Sequence, residues 1–284
     1  MPPDLVSVLT RAGLVAMMLS MGFRSSPGEV LASIRDLRGT TAGLAANFVL
    51  VPAATMGLLY AFDAAPVVSA GFLILAVCPG APVGPPFAAV ARGDVAYASG
   101  QMVILAAVSA VLSPVLLGLL LARLLPAGGL RVDSLTIVQT LAVSQILPLC
   151  IGLAVSRASP GVARRLSGPV GLAGGLLLLV VIALVLARQF ESLRLIGPSS
   201  WTGMFLLIAA SLAIGWLCGG SGLARRKALA VTTASRNAAV ALVIVLGSFG
   251  GTAAVTAVVA YALASLFTTF GCALLFARVT EPAR

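Results

Sequence analysis

Arg236 is the residue in this sequence most able to do chemistry, because it is a lone charge deep inside an apolar stretch. It stands ten positions after Arg226 and eleven before Gly247, roughly 15 Å of helix from either end. A charge at that depth costs from about 3 to more than 10 kcal/mol unless it is paired. None of the eight acids lies within an apolar run. Two alternatives follow: a structural arginine bonded to backbone carbonyls, or an arginine that binds an anionic ligand.

Two polar or proline-rich interruptions could position such a site. Residues 79–86 contain four prolines, and residues 232–237 read Thr-Thr-Ala-Ser-Arg-Asn. Proline removes a backbone donor and clashes with the preceding turn, so the first segment cannot remain a regular helix. In hydrocarbon, freed backbone groups are tolerated only against protein or a water-filled cavity. A single proline would indicate a packing kink, whereas this cluster, matched by a second polar break, favours a binding site.

The helices that begin after the two breaks would also favour binding of an anion. The N-terminus of a helix carries free N–H groups and about half a positive charge. Ser235 or Asn237 is predicted to cap the second restart. Two such ends converging near Arg236 would form a positive pocket suited to a carboxylate or a sulfonate.

The composition excludes most other chemistry. The chain has 284 residues, 60% hydrophobic and 9% charged, with a mean hydropathy of +1.12, which excludes a water-soluble enzyme. Histidine is absent, and the four cysteines are far apart without a C-x-x-C pair, so we expect no enzyme activity, no metal site and no cofactor. The net charge of +10 is scattered between apolar runs, so no nucleic-acid partner is predicted.

The elements that must position the site are nine apolar runs, each long enough to cross a bilayer as a helix. They lie at about 5–23, 41–60, 67–91, 95–121, 135–155, 170–187, 201–218, 228–249 and 252–277. Continuous runs of this length exclude barrel strands. The sequence therefore predicts an all-α polytopic membrane protein of about nine transmembrane helices, with residues 1–284 forming a single domain and only polar connectors between spans.

Loop charges predict the orientation. Twelve of the 18 basic residues fall on one side of the spans, and four, Arg123, Arg131, Arg188 and Arg194, fall on the other. The positive-inside rule then puts the N-terminus outside and the C-terminus in the cytoplasm. The basic residues are almost all arginine, a bias typical of GC-rich bacterial coding sequences. Together with the apolar runs, this bias indicates a multi-pass protein of a bacterial inner membrane.

The chain also repeats its own pattern. An interrupted apolar run and a long helix end near residue 123, and a second interrupted run and long helix end near residue 278. An odd number of helices separates the two units, so repeat 1 (about 5–123) and repeat 2 (about 134–278) enter the membrane from opposite sides. Inverted repeats with interrupted helices indicate a secondary transporter with a midplane site.

Several motifs together resemble the bile acid:sodium symporter superfamily. They are Cys78-Pro79-Gly80, residues 91–96, residues 235–242, residues 20–23 and residues 43–52. The resemblance covers nearly the whole chain and implies a panel domain and a core domain whose two broken helices cross at the midplane. It also implies transport of organic anions by alternating access, and this chain resembles a nine-span form that lacks the first span.

The departures from that family concern sodium. Where sodium-coupled relatives have Ser-Asn after the first break, this chain has Gly84-Pro85. The acidic residue that opens the second break aligns with Thr232, a glutamine aligns with Arg236, and another aligns with Asn47. Sodium prefers oxygen ligands, and a guanidinium stands where a cation would lie. The resemblance therefore implies transport that does not depend on sodium.

The sequence thus predicts a secondary transporter or facilitator of a small organic anion, embedded in the lipid bilayer. The predicted substrate-binding residues are Arg236, Asn237, Ser235, Thr233, Thr232, Asn47, Gly84 and Pro85. The alternative is a non-transporting membrane receptor or a degenerate transporter paralogue. Proton coupling has one candidate, Asp94, for which a helix N-cap is the favoured interpretation.

Overall fold

Helices account for the regular structure of the residues described, which are 3–124, 133–189 and 197–280 of the computed structural model. The first group is α1 (Pro3–Arg24), α2 (Pro27–Arg35), α3 (Leu37–Ala45), α4 (Val51–Ala61), α5 (Pro66–Ala76), α6 (Gly84–Val90) and α7 (Val95–Leu124). The second is α8 (Ser134–Leu141), α9 (Leu147–Ala158), α10 (Pro160–Arg188), α11 (Pro198–Cys218), α12 (Leu223–Ala234), α13 (Ala238–Phe249) and α14 (Ala253–Phe276). A helix satisfies its own backbone groups, which is what an apolar span in lipid requires.

Within the described residues, eight segments are long and apolar enough to cross a membrane. They are Leu5–Arg24, Leu37–Ala61, Val95–Arg123, Ser134–Ala158, Pro160–Arg188, Pro198–Cys218, Leu223–Phe249 and Ala253–Phe276. The ninth predicted run consists of α5 and α6 with a break between them, and α5 has only 11 residues. The prediction of an all-α polytopic membrane protein is confirmed.

Two π-helical stretches, Ala46–Leu50 and Ala142–Ile146, join α3 to α4 and α8 to α9. Each is followed, after one residue, by a proline, Pro52 or Pro148. Proline has no N–H for the carbonyl four residues before it, so the turn widens and that carbonyl is freed. Such bulges are frequent at functional sites, and the first one contains Asn47.

Glycines allow α1 to pack closely on α9 and α10. A Cβ atom built on Gly22 would lie 2.7 Å from the Cα atom of Gly152 on α9. A Cβ atom on Gly174 of α10 would lie 3.0 Å from the carbonyl oxygen of Gly13. These three helices form one packed group, and the two broken segments pack with α7, α11 and α14 in a second group.

The polar connector after α1 contains regular structure. It contains the short helix α2, which begins with a capping box: the Ser26 side chain accepts from the backbone N–H of Gly28, and the Glu29 carboxylate accepts from the backbone N–H of Ser26. Asp36 then caps α3 and forms an ion pair with Arg225 at the start of α12. These capping residues stabilise the first turns of α2 and α3.

The second broken segment lies at the centre of the molecule. In Leu223–Phe249, 89% of the most apolar 18-residue window is buried inside the protein, against 22–44% in the other seven membrane segments. Protein groups, rather than lipid, therefore surround its break, as an unsatisfied backbone requires. Three arginines counted for the orientation, Arg131, Arg194 and Arg284, lie outside the described residues, and the orientation stays a prediction.

Candidate anion site at two helix breaks

The first break comprises residues 77–83, between α5 and α6. Gly80 has a φ of +83°, and a Cβ atom there would lie 2.6 Å from the backbone nitrogen of Ala106, so only glycine fits this close approach. Gly84 and Pro85 were predicted to belong to the break. They form the first turn of α6 instead, where a proline is tolerated because its missing N–H would have no helical partner.

The second break is shorter than predicted and comprises Ser235, Arg236 and Asn237. The side chain of Asn237 accepts from the backbone N–H of Val240 at 3.2 Å and caps α13. The hydroxyl of Ser235 donates back to the carbonyl of Val231 at 2.8 Å. Of the two predicted caps, Asn237 is therefore the cap and Ser235 is not.

Thr232 and Thr233 were predicted to lie in the second break, and this prediction is wrong. Both are in the last turn of α12. The hydroxyl of Thr232 donates to the carbonyl of Ala228 at 2.7 Å. A threonine in a helix can satisfy its hydroxyl in this way, so two polar side chains in sequence do not require the helix to stop.

The two breaks contact each other through hydrogen bonds. The backbone N–H of Asn237 donates to the carbonyl of Cys78 at 2.8 Å, and its side-chain amide donates to the carbonyl of Gly80 at 3.2 Å. Arg236 donates from Nη1 to the carbonyl of Ala76 at 3.3 Å. Carbonyls freed by the first break are thus satisfied by donors of the second, and the two breaks meet.

The guanidinium of Arg236 is buried and only partly satisfied. The residue is 6% exposed, and its Nε and Nη2 atoms have no hydrogen-bond partner within the described part of the chain. These two atoms form the side edge of the guanidinium, whose parallel N–H groups fit both oxygens of one carboxylate. The bond from Nη1 to Ala76 fixes the opposite corner and so orients this edge.

Arg236 lines a cavity of about 330 Å³ between the breaks, α1, α10 and α14. Ser235 and Asn237 also line it, as does Ser265, whose hydroxyl donates to the carbonyl of Ala234 at 2.9 Å. The apolar wall includes Val83, Phe87, Leu172, Leu176, Leu179, Ile182, Leu263 and Leu266. The cavity therefore offers one cationic group, a few hydroxyl and amide groups, and an extended apolar surface.

Asn47 and Thr233 meet in a second polar cluster that does not line this cavity. The amide nitrogen of Asn47 donates to the hydroxyl of Thr233 at 3.3 Å and to the carbonyl of Gly43 at 2.9 Å, and the amide oxygen has no described partner. Thr232 faces Gly84, where a Cβ atom would lie 3.4 Å from its hydroxyl. Among the eight predicted residues, only Ser235, Arg236 and Asn237 line the Arg236 cavity.

The leucines of α10 and α14 were not predicted as site residues. Leu172 and Leu176 line the cavity although they are 65% and 52% exposed. A leucine that faces an apolar cavity has the same character as one that faces lipid. The sequence carried no signal that distinguishes the two, and only the position of α10 across the cavity from the breaks shows it.

Asp94 was the one candidate for proton coupling that the sequence offered. Its carboxylate accepts from the backbone N–H of Tyr97 at 2.9 Å at the start of α7. It is therefore an N-cap, as the favoured interpretation held. No carboxylate of the described residues pairs with Arg236.

Two interrupted helices that meet around a buried polar site in a helical membrane protein define the architecture of many secondary transporters. The sequence model for the sodium bile acid symporter family matches residues 11–196, which is more than half of the 284 residues, so this chain belongs to that family. The match ends before α11, and the second break lies beyond it.

One curated relative is also similar to this chain. The ileal sodium/bile acid cotransporter of Homo sapiens is 28% identical over 211 residues, covering 72% of this chain and 58% of the relative. The chain therefore spans just over half the length of the relative that it matches.

Proposed function

We propose that this protein transports a small organic anion by alternating access, with Arg236 as the group that holds the negative charge. The observation that carries the proposal is the side edge of its guanidinium, which is buried and has no partner among the described residues, on a residue that lines a cavity. An unpaired charge in a low-dielectric interior is costly, because neither water nor a counter-charge compensates it. A bound carboxylate would satisfy both free N–H groups, each worth about 1.5–3 kcal/mol for a charged hydrogen bond.

The walls of the cavity indicate the rest of the substrate. Beyond the guanidinium and its polar neighbours the lining is apolar, so the ligand has one carboxylate or sulfonate and an apolar body. The volume of about 330 Å³ is at the small end of typical ligand sites. A second charged group on the ligand would face leucines and lose its hydration without a partner.

We propose that transport does not require sodium. Sodium binds through several oxygen ligands, yet the break carbonyls of Ala76, Cys78 and Gly80 already accept hydrogen bonds from Arg236 and Asn237. The resemblance to sodium-coupled relatives places a carboxylate at Thr232, and this chain has a hydroxyl bonded within its own helix. In this proposal the fixed guanidinium supplies the positive charge that sodium would bring.

Movement between the two helix groups would alternate access. The group of α1, α9 and α10 contributes one wall of the cavity and the broken helices contribute the other, so a rocking motion would close one side and open the other. The inverted repeats, about 5–123 and 134–278, provide two related conformations. Loop charges support an N-terminus outside and a cytoplasmic C-terminus in a bacterial inner membrane.

Purified full-length protein would first be screened by thermal unfolding against acetate, hexanoate, benzoate and cholate, in sodium and in choline buffers. An anion that binds the folded protein raises the unfolding temperature. The stabilising anion, radiolabelled, would then be tested for uptake and counterflow in proteoliposomes. Counterflow that is lost in Arg236→Gln supports transport, whereas tight binding without counterflow supports the receptor alternative.

A further inference from the structure

A second cavity adjoins the one that Arg236 lines. It has a volume of about 260 Å³ and shares five lining residues with the first. The shared residues are Met17, Pro82, Val83, Gly171 and Gly175. The two cavities therefore lie side by side between α1, α10 and the first break, and together they are called the passage.

The outer end of this passage carries a second guanidinium. Arg24 is the last residue of α1, and its side chain is exposed. It lines the second cavity together with the polar residues Ser20, Ser25 and Ser99. Its Nη2 atom donates one bond to the carbonyl of Ser167 at 3.3 Å. The passage thus leads from an exposed cation at a membrane face to a buried one at the breaks, which is the arrangement that attracts anions into a narrow site.

Gly175 differs from the neighbouring glycines of α10. A Cβ atom on Gly171 would lie 2.6 Å from the hydroxyl of Ser20, and one on Gly174 would lie 2.9 Å from the backbone nitrogen of Met17. A Cβ atom on Gly175 would meet no heavy atom within 4 Å. Gly171 and Gly174 therefore permit helix packing, whereas Gly175 leaves open space within the passage.

We propose that Arg24 admits anions to this passage and that the missing side chain of Gly175 sets the width of the ligand that reaches Arg236. The nature of the cargo rests on the proposed function, but the passage itself does not. A side chain at position 175 would project into the space that both cavities border without displacing a neighbour. Ligand size is thus controlled at α10, far along the chain from either break.

The test labels a cysteine placed in the passage. Gly175→Cys would be made in full-length protein with Cys150, Cys218 and Cys272 replaced by alanine and with Cys78, which is fully buried, retained. Labelling rates would be measured with anionic 2-sulfonatoethyl methanethiosulfonate and with cationic 2-(trimethylammonium)ethyl methanethiosulfonate, each divided by the rate for a free thiol in solution. We expect labelling by both, with the anionic reagent favoured about tenfold, and a ratio at least about threefold lower in Arg24→Gln, in which Arg236 remains.

Gly203→Cys in the same background is the matched control. Gly203 also has no heavy atom within 4 Å of its Cβ position, and it lines a different cavity, of about 170 Å³, at the opposite end of the helices. Its labelling ratio should not change in Arg24→Gln. A Gly175→Cys protein that unfolds normally but resists both reagents, or a ratio that Arg24→Gln leaves unaltered, would overturn the proposal.

Failure of the passage and failure of the proposed function give different results. If labelling at position 175 is charge-selective but no anion stabilises the protein, the passage proposal stands and the proposed transport of an organic anion is wrong. If an anion binds in a way that depends on Arg236 but a cysteine at position 175 is unreactive, the anion site stands and the passage proposal is wrong. A second variant, Gly175→Leu, should reduce the affinity for cholate at least tenfold more than the affinity for acetate if the passage limits width.

Discussion

The backbone N–H of Asn237 donates a hydrogen bond of 2.8 Å to the carbonyl of Cys78 and thereby joins two helix breaks that lie far apart in sequence. The same residue caps α13 and donates from its side chain to Gly80. One asparagine therefore begins α13 and holds the two breaks together. Arg236 precedes it in the chain, so the position of the guanidinium depends on this contact.

We expect Asn237→Ala to destabilise the protein by about 1–3 kcal/mol. The variant loses the cap of α13, worth about 1 kcal/mol, and leaves the buried Gly80 carbonyl without its partner. Ser235→Ala is the control, because the Ser235 hydroxyl bonds only to Val231 in the preceding helix, and its effect should be smaller. Thermal unfolding in detergent measures both, and equal effects would contradict the role of Asn237.

We expect Gly80→Ala to prevent the breaks from packing. The residue has a φ of +83°, and the added methyl would approach the backbone of α7 to 2.6 Å, a contact that no side-chain movement can relieve. The loss should exceed about 3 kcal/mol and reduce the yield of folded protein. Gly247→Ala, in α13 and with open space at its Cβ position, should be neutral or slightly stabilising. Similar yields of both variants would reject this account of the first break.

Uptake should be unchanged when choline replaces sodium. The break carbonyls are already used by the chain, and a fixed guanidinium lies beside them. Proteoliposomes loaded with and diluted into sodium-free buffer would give initial rates within about twofold of those in sodium, since no coupling ion is removed. An uptake rate that falls with sodium and returns when sodium is restored would refute independence from sodium.

The ion pair between Asp36 and Arg225 should make stability depend on pH. The backbone N–H of Gly39 and, after it, Arg225 hold the pKa of Asp36 below its ordinary value, so the stabilisation is complete above about pH 5 and is lost as the pH falls below about 4. Both side chains are about one third exposed, and the pair is worth at most about 1 kcal/mol. Asp36→Asn should therefore unfold more easily than the parent at pH 7, and the difference should shrink as the pH falls below about 4. A difference that does not depend on pH would assign the effect to packing.

Much of the helical architecture could be predicted, because spans in lipid must be long, apolar and helical. Arg236 could be located by its distance from both ends of its run, and the first break by its prolines. The length of the second break could not be predicted, since it depends on what the freed backbone meets. Thr232 remains helical because its hydroxyl bonds to Ala228, whereas Asn237 leaves the helix because Cys78 and Gly80 accept from it.

The composition of the site was harder to predict than its position. Asn47 and Thr233 were predicted to bind the substrate, but they contact each other behind the break and do not line the cavity. The opposite wall comes from leucines and glycines of α10, such as Leu172 and Gly175. Apolar residues of a membrane helix have the same character whether they face lipid or a cavity, so the residues of a cavity wall can be identified only from the structure.

The central claim is that the free edge of the Arg236 guanidinium binds the negative charge of the ligand. Isothermal titration of the stabilising monocarboxylate into the parent protein, Arg236→Lys and Arg236→Gln tests it most directly. Loss of two charged hydrogen bonds should weaken binding at least about 100-fold in Arg236→Gln, and Arg236→Lys, which keeps the charge but not the paired N–H groups, should be intermediate. If folded Arg236→Gln binds the same anion within about threefold of the parent, Arg236 is a structural residue and the claim is wrong.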